Sequence, residues 1–186
     1  MFSKIRYNSP VVLTFVLLSL VAYLLNGLTA GWANRLFFSI YSTGSHLDLL
    51  TLVRLFGYVL GHASFEHYVS NMTFILLVGP LLEEKYGSKK LLVLMGLTAV
   101  VTGIVHVLFF DGAILGASGI VFAMILLSSI VYAKKGEIPL TFVLVAVIYL
   151  GGQVVDGLFV RDNVSQMGHL LGGLVGSLYG FYLNNR

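Results

Sequence analysis

Apolar residues in this chain gather into six long runs separated by short polar breaks. The first is Pro10–Leu25, preceded by Lys4 and Arg6. A second runs from about Glu66 to Leu82 and is closed by Glu83-Glu84-Lys85-Tyr86-Gly87. Leu91–Phe110 is the third, ended by a tight turn at Asp111-Gly112, and the fourth extends from about Leu115 to Ala133, closed by Lys134-Lys135-Gly136-Glu137. The fifth, Ile138–Val155, leads into a polar stretch with Asp156, Arg161, Asp162, Asn163, Ser165 and Gln166, and the sixth covers about Met167–Leu183. Each run approaches the ~20 residues a helix needs to cross a bilayer. The pattern predicts an all-α membrane protein with six transmembrane helices, at about 10–26, 66–82, 91–110, 115–133, 138–155 and 167–183. Together they form a single membrane domain over 1–186.

Two stretches need separate reading. Lys4 and Arg6 ahead of an apolar run resemble the flanks of a signal peptide, with Leu28-Thr29-Ala30 as a weak cleavage site. The run is long for that role and five more follow, so it is read as a retained first helix. Residues 26–64 mix Trp32, Phe37, Phe38 and Tyr41 with Asn34, Arg35, His46, Asp48 and Arg54. That mixture suits helices lying at the membrane interface, and a structureless loop of this length is uncommon.

Composition agrees. Hydrophobic residues make up 58% of the 186 and charged ones 10%, where a soluble domain carries about a quarter charged. The mean hydropathy is +0.93. With no cysteine, disulfides, thiolate catalysis and Cys-ligated metals are excluded. The net charge is only +3, and no basic patch interleaves with aromatics, which argues against a nucleic-acid partner. Charge placement is more telling. Lys4, Arg6, Lys85, Lys89, Lys90, Lys134, Lys135 and Arg186, eight of the eleven basic residues, fall on one side of a six-span topology. Arg35, Arg54 and Arg161 fall on the other. The positive-inside rule then puts both termini in the cytoplasm, in the inner or plasma membrane of the cell. It sets His67, Ser118 and His169 near the outer ends of their helices.

Polar residues inside spans are costly and usually mark function or helix contacts. Three sets stand out. Gly116-Ala117-Ser118-Gly119 opens the fourth span, where unpaired backbone N–H groups and the helix dipole favour negative charge. Alone, Ser118 reads as an ordinary capping serine. Gly168-His169-Leu170-Leu171-Gly172 opens the sixth. Its histidine has a neutral-range general base's chemistry, and Gly168, Gly172, Gly176 and Gly180 form a small-residue stripe for close helix approach. Gly119 and Ala123 offer a matching small pair on the fourth span. The third set, His62-x4-His67-x3-Asn71, enters the second span. His67 and Asn71 share a helix face with Ser70 and offer two donors for an oxyanion. His62 and His67, five apart, point to different faces of a continuous helix, and no H-E-x-x-H occurs, so neither a metal nor another cofactor is expected. His106 is read as an interhelical hydrogen bonder. Nucleophile, base and oxyanion donors on one side of the membrane are the minimum kit for acyl transfer, here a Ser–His dyad without an acid.

In this order, and from about Arg54 to Gly176, these residues resemble the rhomboid family of intramembrane serine proteases, in its minimal six-transmembrane prokaryotic form. The resemblance rests on His62-x4-His67-x3-Asn71, Glu83-x3-Gly87, Gly116-x-Ser118-Gly119, and Gly168-His169 with Gly172-x3-Gly176. It implies the rhomboid fold and a cavity open to the outer aqueous side. It also implies cleavage of transmembrane protein substrates near the outer membrane face, without a cofactor. By the same resemblance Ser118 is the nucleophile and His169 the general base. His67, Asn71 and the Ser118 N–H form the oxyanion hole, Glu83 anchors contacts on the cytoplasmic side, and the fifth helix with the 156–166 loop gates substrate. Val53-Arg54 stands where the family often has Trp-Arg. Phe122 stands where many members have Tyr, which keeps stacking on the histidine and loses a hydroxyl contact. The rival class is a non-catalytic polytopic protein, a transporter or membrane-protein chaperone, but neither the repeats nor the broken midplane helices of transporters are visible.

Overall fold

The computed structural model of the protein describes residues 5–42, 49–159 and 165–185. Lys4, His46, Asp48, Arg161, Asp162, Asn163 and Arg186, which entered the charge and loop readings above, lie outside the described residues. Among those described, eight helices and one short strand pair make an all-α membrane protein. Six helices correspond to the six apolar runs: α1 (Pro10–Leu28), α4 (Phe65–Tyr86), α5 (Ser88–Phe109), α6 (Ser118–Ser129), α7 (Leu140–Phe159) and α8 (Gln166–Asn184). Helices α1, α5 and α7 are each long and apolar enough to cross a membrane. Their outward faces carry exposed Leu17, Leu24, Leu92 and Val147. Apolar surface on that scale belongs against lipid rather than water.

The described residues between 26 and 64 hold compact structure. Helix α1 runs to Leu28 and is followed by α2 (Trp32–Leu36), strand β1 (Ile40–Tyr41), α3 (Leu49–Gly57) and a 3-10 turn at Tyr58–Leu60. Arg54 joins these pieces: its Nε donates to the Leu36 carbonyl at 2.9 Å, and its guanidinium lies 5.1 Å from the Tyr41 ring centre. Strand β1 pairs antiparallel with β2 (Ala113–Ile114), bringing the segment that leads into α6 against this layer.

Several boundaries differ from the apolar runs. Helix α4 does not stop at Glu83-Glu84; it continues to Tyr86 and ends at Gly87, whose φ of +85° a side chain would rarely adopt. Glu83 is tolerated there because it is buried with partners. Its carboxylate accepts the backbone N–H groups of Val11 and Val12 at 3.0 and 3.1 Å and the Ser88 hydroxyl at 2.7 Å. An anion at the α1 N-terminus, just behind Pro10 at its first position, satisfies donors the helix leaves unpaired. Asp156 lies inside α7 rather than in a loop, and Gln166 already belongs to α8. Helix α6 has only 12 residues, fewer than its apolar run: Gly116 at φ +126° holds the chain out of helical geometry before Ser118, and the helix stops at Ser129, ahead of the end of the run at Ala133.

That short helix is the centre of the molecule. Ile120, Val121 and Ala123 to Leu127 are buried, and α6 packs on α4, α5, α7 and, most extensively, α8. At 1.5 Å per residue it spans roughly 18 Å of a hydrocarbon layer about 30 Å thick. It is therefore too short to cross that layer on its own. Among the described residues, His106 is not hydrogen-bonded to another helix. Its Nε2 lies 3.3 Å from the Gly112 carbonyl in the turn after its own helix, and its ring stacks on Phe110.

Candidate active site

Four elements converge on one cavity of about 420 Å³, lined by Ser118, His169, His67, Asn71, Ser70 and Phe122 among others. Ser118 is the first residue of α6. Its N-cap, Ala117, has no side chain to accept the first-turn N–H groups. Uncapped amides at a helix start, facing a cavity, favour negative charge there.

The start of α8 is closed by Ser165, whose hydroxyl accepts the Gly168 N–H at 3.2 Å, and His169 follows within the first turn. The glycine stripe sets its distance from α6. A Cβ on Gly119 would stand 3.2 Å from the Gly168 carbonyl oxygen. One on Gly172 would collide with the Gly119 backbone, and one on Gly176 with the Ala123 backbone. Gly180 faces side chains instead, those of Ile130 and Leu127. The two helices thus touch main chain to main chain just below Ser118 and His169. The imidazole lies flat on Phe122, centroids 4.5 Å apart and planes within 3°. Tyr149 of α7 meets the same phenyl ring edge-on at 5.9 Å.

On α4, Ser64 caps the helix by accepting the His67 N–H at 3.1 Å. His67 and Asn71, one turn apart, both line the cavity. Gly116 lets them approach, since a Cβ there would stand 2.7 Å from Cε1 and 2.8 Å from Nε2 of His67. Buried His62 stands behind. Its Nε2 lies 3.1 Å from the Asn71 amide nitrogen and its Nδ1 lies 3.1 Å from the Leu60 carbonyl. An amide nitrogen only donates and a carbonyl only accepts, so His62 is neutral with its proton on Nδ1. Burial, and next the neighbouring His67, push its pKa down to about 4. One Asn71 N–H is committed to His62, which leaves the second for the cavity. Despite lying on different faces by helical count, the two histidine rings meet edge-on at 5.0 Å, because His62 precedes the helix rather than belonging to it.

The sequence reading missed Gln153 of α7. Its Oε1 lies 2.5 Å from His169 Nδ1. The available signal was an amide within an apolar helix, a costly placement that asks for a partner. No group of three His, Asp or Glu side chains able to hold a metal occurs among the described residues.

A family model for the Rhomboid domain matches residues 50–186 of this chain. The chain is also 34% identical, over 128 residues or 66% of its length, to a protein named Rhomboid-like protease 3 from Toxoplasma gondii. The match spans about half of that relative, 48% of its length.

Proposed function

This chain belongs to the rhomboid family, and on that premise we propose that it is an intramembrane serine endopeptidase acting on transmembrane protein substrates. Ser118 is its nucleophile and His169 its general base. The observation that carries this reading is the single cavity holding Ser118, His169, His67 and Asn71, with α6 and α8 in backbone contact beneath it.

In the reaction His169 takes the Ser118 hydroxyl proton as Oγ attacks the scissile carbonyl. The oxyanion that forms meets His67, the Asn71 amide and the Ser118 N–H. His169 then gives the proton to the leaving amine, and a water molecule activated by the same imidazole releases the acyl group. A half-buried Ser118 at the start of the central helix α6, facing a buried His169 on α8, suits chemistry within the bilayer. The cavity supplies the polar space that water requires. The six helices of the apolar runs form one membrane domain over 1–186, in the inner or plasma membrane of the cell. Both termini are cytoplasmic and the cavity opens on the opposite side, near which substrates are cut.

The test uses purified protein in lipid vesicles with a transmembrane substrate. Ser118→Ala and His169→Ala should each lower cleavage by about 10³-fold or more. A chelator should leave the rate unchanged. Full cleavage by Ser118→Ala, or loss on chelation, overturns the assignment. Absence of any cleavage, together with saturable substrate binding, would favour a transporter or chaperone.

A further inference from the structure

Helix α7 meets α8 along an antiparallel ladder. Phe142 packs edge-on against Phe181, Leu150 lies over Gly173, and Gln153 reaches His169. The first two rungs are apolar and exchangeable. The third joins a half-buried amide to the buried ring of the general base. Within α7, Gln153 sits between Gly152 and Val154 in a helix that is otherwise almost wholly apolar around it.

An imidazole can accept a proton at one nitrogen only when the other holds its own hydrogen. With Nδ1 turned to Gln153, Nε2 is the ring nitrogen that can serve Ser118. A side-chain carbonyl at Nδ1 requires the proton there, which leaves the lone pair on Nε2. The flat contact with Phe122 constrains the ring plane, and the hydrogen bond constrains rotation within it. We propose that Gln153 is the positioning residue of His169, its carbonyl oxygen holding the imidazole as the Nδ1–H tautomer so that Nε2 takes the Ser118 proton.

This rests on the reading of Ser118 and His169 as nucleophile and base. During the reaction the Ser118 proton moves to Nε2 while Nδ1–H stays donated to Gln153, and the positive ring faces a neutral carbonyl dipole. The proton on Nε2 then leaves with the amine, and the starting tautomer is restored. The arrangement is a triad in shape whose third member carries no charge. It also places the orientation of the base under the control of α7, a helix with no buried residue of its own.

The test uses the full chain in lipid vesicles, with Ser118 labelling by a fluorophosphonate and cleavage of a transmembrane substrate as parallel readouts. Gln153→Met keeps the side-chain length and removes the acceptor. It should lower both the labelling rate and kcat by about 10- to 100-fold with KM little changed. Gln153→Glu keeps an acceptor and adds charge. It should recover much of the rate and move the acid limb of the rate profile to higher pH by about one unit. Histidine NMR titration of Gln153→Glu should show the shift at His169 rather than at His67, the other imidazole lining the cavity. In the unsubstituted protein, nitrogen NMR of labelled histidine should find the His169 proton on Nδ1. This reading needs no variant to fold. Wild-type rates and an unmoved limb in both variants, or a proton on Nε2 in the resting protein, overturn the proposal. If Ser118→Ala still cleaves, the dyad itself is wrong. If Ser118→Ala is dead while both Gln153 variants behave as wild type, only the role of Gln153 falls.

Discussion

Two of the helices packed on α8, namely α6 and α7, meet it in opposite ways. Against α6 it presents Gly172 and Gly176, and the contact is backbone on backbone. Against α7 it presents the next residue, Gly173, and the contact is the end of the Leu150 side chain. Backbone cannot move aside without shifting a whole helix, whereas a leucine tip rotates. The spacing of Ser118 from His169 therefore belongs to a rigid frame. Buried polar contacts reinforce that frame, with Glu83 joining α1, α4 and α5 and His62 joining the 3-10 turn to α4. Helix α7 is tied to it more loosely, by apolar side chains, the Gln153 amide and, at its start, the Thr141 hydroxyl donating to the Ser129 carbonyl of α6 at 3.3 Å. Under the proposed function, such a division would let one helix move for substrate without disturbing the spacing of Ser118 and His169.

The sharpest way to break this contrast is the same change at adjacent positions. Gly172→Ala should destabilise the protein by about 3 kcal/mol and remove activity, because a methyl group would have to push the main chains of α6 and α8 apart. Reversible unfolding in mixed detergent micelles measures the first effect and vesicle cleavage the second. Next in size, Glu83→Ala should cost about 2 kcal/mol in the same unfolding measurement, since two helix-terminal N–H groups lose a buried acceptor. Its effect on kcat should be small, because Glu83 stands outside the cavity.

A smaller effect depends on pH. His62 has a folded-state pKa of about 4 against an ordinary 6.5, so the unfolded chain takes up the proton first as the pH falls. Its contribution is complete above about pH 6.5, declines from there to about pH 4, and changes no further below. Unfolding measured at pH 7 and pH 5 should show that decline in the wild type, and His62→Gln should lack this component. Smallest of all, Gly173→Ala should cost less than about 1 kcal/mol and leave cleavage within a few-fold of wild type. Equal losses for Gly172→Ala and Gly173→Ala would abolish the distinction between frame and moving helix.

Much of this architecture was legible before any coordinates. Six apolar runs announced the helices, because a span must be apolar along its whole length. Gly-x-Ser-Gly and Gly-His with glycines every fourth residue announced a close helix pair, because only small residues allow it. What stayed hidden depended on long-range register. Gln153 was visible as a polar residue, but its partner follows from how α7 is rotated against α8. Strands β1 and β2 have two residues each, too few for any alternation to register. The short length of α6 was masked by apolar residues on both sides of it, and only the left-handed Gly116 marks where helix gives way to loop. Asp156 and Glu83 were placed in breaks because charge usually ends a span; a buried partner set reverses that rule for Glu83.

The carboxylate beneath α1 also bears on biosynthesis. Val12 lies 71 residues ahead of the side chain that accepts its N–H. A growing chain delivers α1 to the membrane long before Glu83 exists, so the opening turn of the first helix must wait among lipid headgroups and water. Arrival of α4 supplies the acceptor, and Ser88 then ties the start of α5 to the same oxygen as Val11. Assembly has a checkpoint written into one side chain: the first helix is completed only when the next two long helices come to dock.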